Sequence, residues 1–248
     1  VNADQTAAGC PSGVVVSRPF AGGFSLLELI VVMSVTVVLT GLLLPALIQV
    51  RENANRVICS SNLRQTGLAL VLYADDHSDN LPPSAYARPG GNKQEMMVAH
   101  RGNLGAWDGL GWLYRDFYCN APEIFYCPSH KGEHFYERYE RAWHPLNRRR
   151  IYTNYHYAGP LDWDTGDKRR INSNVKGETI ILATDGLRTR RDFNHDTGMN
   201  VLRGDASVLW RDDVCRQLIS YLPSGEIPVA ADSKDRYLHI WGLLNSAE

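Results

Sequence analysis

Net charge is nearly absent from this chain: 26 Lys and Arg stand against 27 Asp and Glu, a formal −1 at pH 7. So balanced a composition gives no electrostatic footprint for nucleic acid, and no such partner is expected. Catalytic signatures are missing too. No G-x-S-x-G, P-loop, H-E-x-x-H or dinucleotide fingerprint occurs in the 248 residues, so no nucleophile elbow, phosphate cradle or zinc-hydrolase helix is supplied. The chain reads as something other than an enzyme. With 44% hydrophobic and 21% charged residues it has the composition of a folded protein, long enough for one fair-sized domain.

Charge vanishes altogether from one stretch. Leu29 to Ile48 is twenty residues without an ionisable side chain, long enough as a helix to span a hydrocarbon core of about 30 Å. A secretory signal would be shorter and would end in an A-x-A-like site, and none follows this run. One carboxylate, Glu28, sits just inside the apolar end. Burying it there costs roughly 2.5–3.5 kcal/mol on an insertion scale, and such a cost usually marks a function.

The order Gly22-Gly23-Phe24-Ser25-Leu26-Leu27-Glu28, with the glutamate fifth from the phenylalanine and the apolar run behind it, resembles the type IV prepilin signal. The resemblance implies cleavage after Gly23 by a membrane peptidase and methylation of the new amino terminus at Phe24. It further implies that Glu28 answers a neighbour's terminal amine during assembly, and that Pro45 bends the helix. The stretches Arg56 to Leu70, Tyr73-Ala74-Asp75-Asp76 and Leu81-Pro82-Pro83, and later Ile124-Phe125-Tyr126-Cys127-Pro128-Ser129, resemble planctomycete prepilin-like proteins of the type II secretion protein G-like kind. That family implies a single-pass protein of the bacterial inner membrane with its carboxy-terminal head in the periplasm or at the cell surface. Its implied partners are the prepilin peptidase, other pilin or pseudopilin subunits, an inner-membrane assembly platform and lipid. The alternative is a membrane-anchored extracytoplasmic module that uses the signal for export and binds glycan or DNA through its Arg and aromatic face.

Organisation follows. Residues 1–23 read as a leader, 24–50 as the membrane or filament-core helix, 51–76 as its amphipathic continuation and 77–248 as a globular head. After Pro45, apolar or small residues recur at Leu47, Val50, Ala54, Val57, Ile58, Ser61, Leu68 and Leu72, largely three or four apart, which predicts a stripe that packs on the head. Asp75 to Ser84 ends in two prolines and must stop the helix. Residues 84–110 read as a surface loop. Strands are predicted over Ile151–Tyr157, Thr179–Thr184, Met199–Leu202 and Ser207–Trp210, and the tail as a further helix and strand. The fold class is therefore α+β and pilin-like, a long helix laid on an antiparallel sheet with loop-rich insertions.

Three constellations could carry chemistry. Cys119 and Cys127, eight apart, would most simply form a disulfide outside the cytoplasm; Cys127, His130 and His134 also have zinc-like spacing. Cys59 could pair with Cys215 or stay buried. His195 and Asp205 match a family motif of histidine, nine residues, then Asp-Gly, except that Ala206 replaces the glycine and puts any positive-φ turn in doubt. Asp185, His195 and Asp205 could hold a cation, with Ca2+ suiting the carboxylates, but bracing of a turn is the preferred reading and no cofactor is required.

Overall fold

The computed structural model describes residues 25–102, 106–163, 166–172, 174–175, 178–213, 215–225 and 233–246. Gly23 and Phe24, the expected cleavage and methylation site, lie outside them. The chain divides into two compact units, Val1–Leu47 and Ile48–Glu248.

Helix α1, Leu26–Asp76, is 51 residues long. Ser25 caps it: its Oγ accepts the backbone N–H of Glu28 at 3.1 Å, the Ser-x-x-Glu arrangement of a capping box. Through the apolar run, the hydroxyls of Ser34, Thr36 and Thr40 donate to carbonyls three or four residues back, so they need no water. Pro45 lies within the helix, where it removes one ladder bond.

The carboxy-terminal half of α1 buries Cys59, Leu63, Thr66, Gly67, Leu70 and Tyr73, a spacing of three and four that keeps one face inward. This is not the expected stripe. Val50, Val57, Ile58, Leu68 and Leu72 are exposed. Two apolar stripes run along the helix, and the inward one mixes Leu63, Leu70 and Tyr73 with the small residues Cys59, Thr66, Gly67, Ala69 and Ala74. Gly67 marks the close approach: a Cβ there would lie 2.7 Å from Leu202 Cδ1 and 3.2 Å from Ala206 Cβ, so a larger residue would push on both side chains.

That sheet is antiparallel with order β3-β6-β7-β8, where β3 is Tyr155–Tyr157, β6 Ile181–Asp185, β7 Gly198–Arg203 and β8 Val208–Asp212. Three of the four predicted strands supply β6, β7 and β8. The fourth, Ile151–Tyr157, is split: β2 (Arg150–Tyr152) pairs with β1 (Val98–Arg101), inside the presumed loop, and β3 joins the main sheet. The break comes at Thr153 and Asn154, whose N–H groups donate to Met97 O and Phe125 O instead of to a ladder. A two-residue pair, β4 (Asn174–Val175) and β5 (Glu178–Thr179), stands apart.

Short helices α2 (Gly111–Arg115) and α3 (Tyr136–Tyr139) carry aromatic residues into the main core. There Phe125 and Trp143 stack with centroids 5.6 Å apart. The tail forms two helices, α4 (Gln217–Tyr221) and α5 (Ser233–Ser246), rather than a helix and a strand. In α5 the buried Tyr237, Ile240, Trp241 and Leu244 follow a helical period and join a second core with Leu187, Phe193 and Met199.

Candidate functional site

Four chemistry-bearing side chains from four parts of the sequence meet in the interior. Cys59 comes from the inward face of α1, Cys127 from the turn after Pro122–Phe125, Asp185 from the end of β6 and His195 from the segment leading into β7. All are buried, and one donor atom from each lies within 4.8 Å of the others. Cys59 Sγ donates to Asp185 Oδ1 at 2.9 Å. Cys127 Sγ is 3.6 Å from His195 Nε2, and Asp185 Oδ2 is 3.8 Å from that nitrogen.

A second layer fixes each member. His195 Nδ1 meets Glu52 Oε1 at 2.6 Å, and Ser129 Oγ donates to the other Glu52 oxygen at 2.7 Å. Asp185 Oδ1 accepts from Asn194 Nδ2 at 3.1 Å, and Oδ2 from the Asn200 backbone N–H at 2.6 Å. Asn154, freed by the strand break, accepts from Cys127 N–H at 3.1 Å and donates to His134 O at 2.7 Å. Glu52 and Cys59 are seven residues apart on α1, almost two turns, so both point the same way.

Charge is distributed unevenly. Burial opposes protonation of His195, but the Cys127 hydrogen bond and the Asp185 and Glu52 carboxylates outweigh it and raise the imidazolium to about 9. Burial pushes the Cys59 thiol well up, and the neighbouring Cys127 and Asp185 add to that. Cys127 goes the other way: burial would raise it, but hydrogen bonds from Cys59 and His195 bring it down. Buried carboxylate and thiol groups thus surround a point where positive charge is favoured.

Glu52 connects this interior to solvent. Its side chain is 31% exposed, and it lines an open groove with Arg56, Ser129, His130 and Lys131. Arg56 lies with its guanidinium 4.2 Å from the centre of the Trp210 ring and donates to Thr197 Oγ1.

The expected sites are only partly reproduced. Asp185 and His195 come together, but Asp205 stays away: it lies exposed in the β7–β8 turn, accepting from Ser207 N–H and Oγ at 2.9 and 2.6 Å. That Asx-type bracing is the turn role foreseen for it. Ala206 makes the turn despite its Cβ, at φ +61°. Cys119 and Cys127 are free thiols with separate surroundings, since Cys119 Sγ donates to Ala121 O at 3.3 Å. Nor do His130 and His134 share ligand space with Cys127. His130 Nδ1 meets Asn194 Oδ1 at 2.8 Å, and His134 Nδ1 meets Tyr139 OH at 2.7 Å. Sequence reasoning missed Cys59 and Glu52 as site residues. The signal for them was their shared helix face, visible only once the inward stripe is known.

Residues 49–118 match a family described as a protein of unknown function, DUF1559. The matched segment holds Glu52 and Cys59, while Cys127, Asp185 and His195 lie beyond it. No curated protein and no solved structure matches the chain.

Proposed function

We propose that this chain is a prepilin-like structural subunit, anchored in the inner membrane by α1 and assembled through that helix into a pseudopilus or pilus-like filament. The observation that carries the reading is α1 itself. Among the described residues it is the one helix long and apolar enough to cross a membrane, and its apolar window is fully exposed. A helix with no cover in its own chain needs lipid or other helices around it.

Two further observations support it. The family match covers the stretches from Arg56 to Pro83 that resemble planctomycete prepilin-like proteins. The exposed second stripe of α1, with Val50, Val57 and Leu68, offers neighbouring subunits an apolar face beyond the membrane run. In this role the chain is the substrate of a peptidase and not itself an enzyme. Gly23 and Phe24 are the processing site, Glu28 neutralises the amine of the adjacent subunit, and the head faces the periplasm or cell surface.

Intact mass and amino-terminal sequencing of the protein from membranes, with and without an active prepilin peptidase, test this. The expected result is a mature chain starting at N-methylated Phe24 only when the peptidase is present. An uncleaved chain in both cases overturns the filament reading and leaves a signal anchor.

A further inference from the structure

We propose that Cys59, Cys127, Asp185 and His195 bind one zinc ion, which ties helix α1 to the sheet. The geometry is the first support. With ligand bonds of about 2.0–2.3 Å, the edges of a tetrahedral zinc site are about 3.3–3.8 Å long. His195 Nε2 stands 3.6 Å from Cys127 Sγ and 3.8 Å from Asp185 Oδ2, two separations of that length, and all four ligand atoms lie within 4.8 Å of one another. Cys59 Sγ meets the other carboxylate oxygen, Asp185 Oδ1, at 2.9 Å, a thiol hydrogen bond whose proton must leave when a metal arrives.

Outer contacts are the second support. A metal-binding histidine typically turns its other ring nitrogen to a carboxylate, and His195 Nδ1 meets Glu52 at 2.6 Å while Nε2 faces inward. Asp185 is likewise oriented by Asn194 and by the Asn200 N–H. The side chains are therefore held from outside with their donor atoms converging.

The donor set selects the ion. Two sulfurs, an imidazole and a carboxylate suit zinc and not calcium, which takes oxygen ligands in larger number. Four protein ligands leave no open position, so the site is structural and not catalytic. Burial agrees: Cys127 is 5% and His195 0% exposed, which shuts a thiol–imidazole pair away from any substrate. Binding is balanced by release of the two thiol protons and the Nε2 proton to water, leaving two thiolates, a carboxylate and a neutral imidazole on Zn2+. The ligands span sequence positions 59 to 195 across helix, turn and strand, so one ion closes several long loops.

The test uses the full-length chain in detergent under reducing conditions. Metal analysis is expected to find about one zinc per chain, and Co2+ exchanged into the wild-type protein should give intense tetrahedral visible bands with a thiolate charge-transfer band. Cys59→Ser and Cys127→Ser should each diminish that band, while Cys119→Ser and Cys215→Ser leave it intact. Because a ligand variant can fail to fold, the wild-type cobalt spectrum decides by itself. An octahedral spectrum without thiolate charge transfer, no metal uptake, or a Cys59–Cys127 disulfide in protein isolated from membranes overturns the proposal. Processing at Gly23 and metal content are read independently, so this proposal and the filament reading can fail separately.

Discussion

Glu52 tests the site at the residue scale because it touches His195 without being a ligand. Glu52→Gln keeps the size and the Ser129 contact but removes the charge behind Nδ1. Zinc affinity is expected to fall about 10–100-fold, measured by competition with a chromophoric chelator, with the far-ultraviolet circular dichroism of the metal-free chain unchanged. Ala206 is a second residue with a sign that can be checked. It holds φ +61°, a left-handed conformation that costs an L-residue roughly 1–2 kcal/mol. Ala206→Gly relieves this strain, offset in part by the greater freedom of glycine in the unfolded chain. A net gain of about 1 kcal/mol is expected, seen as a rise in Tm of about 2–4 °C.

At the scale of elements, α1 presents two apolar stripes, and only one meets the head. Leu63 is 0% exposed and Leu68 53%, although the two are equal in hydropathy. Leu63→Ala should destabilise the head by about 2–5 kcal/mol through the cavity it leaves, whereas Leu68→Ala should stay within about 0.5 kcal/mol. Chemical denaturation of the detergent-solubilised variants distinguishes them. A large loss at Leu68 with none at Leu63 would reverse the assignment of faces. Gly67 lies on the inward face: Gly67→Ala drives a methyl against Leu202 and Ala206, and should cost stability even though alanine is the better helix former.

For the whole molecule, acid is the informative variable. His156 and His134 are both buried, and burial depresses each to about 3, helped by Lys93 at His156 and by Arg188 at His134. His156 also stacks on Tyr237 of α5, with ring centroids 5.1 Å apart, so it stands between the sheet and the tail. Both are neutral in the folded state, while the unfolded chain protonates them near pH 6.5. The unfolded state therefore binds more protons between about 6.5 and 3. Their contribution is complete above pH 6.5 and is lost as pH falls toward 3, by about 1.4 kcal/mol per pH unit for each histidine. His156→Phe, which keeps the ring stack, should flatten the acid limb of a stability–pH curve by that amount. An unchanged slope would remove His156 from the account.

What the sequence determined by itself is local. A run of twenty uncharged residues is a membrane-length helix whatever surrounds it, the two prolines at Pro82 and Pro83 end it, and the β-branched, apolar and alternating runs that become β6, β7 and β8 are strand patterns. These follow from backbone geometry and solvent, so one segment suffices to read them. The choice between two stripes on α1 was not local, because hydropathy favours Val57 and Leu68 as much as Leu63, and only packing against the sheet, close at Gly67, settles which face turns in. Nor was the break at Thr153, where the backbone finds better partners in Met97 and Phe125 than in a ladder. The cluster needed the tertiary structure most of all. Its members are separated by 68, 58 and 10 positions, and no spacing rule joins a helix cysteine to a turn cysteine, a strand carboxylate and a histidine until folding has placed them within hydrogen-bond reach.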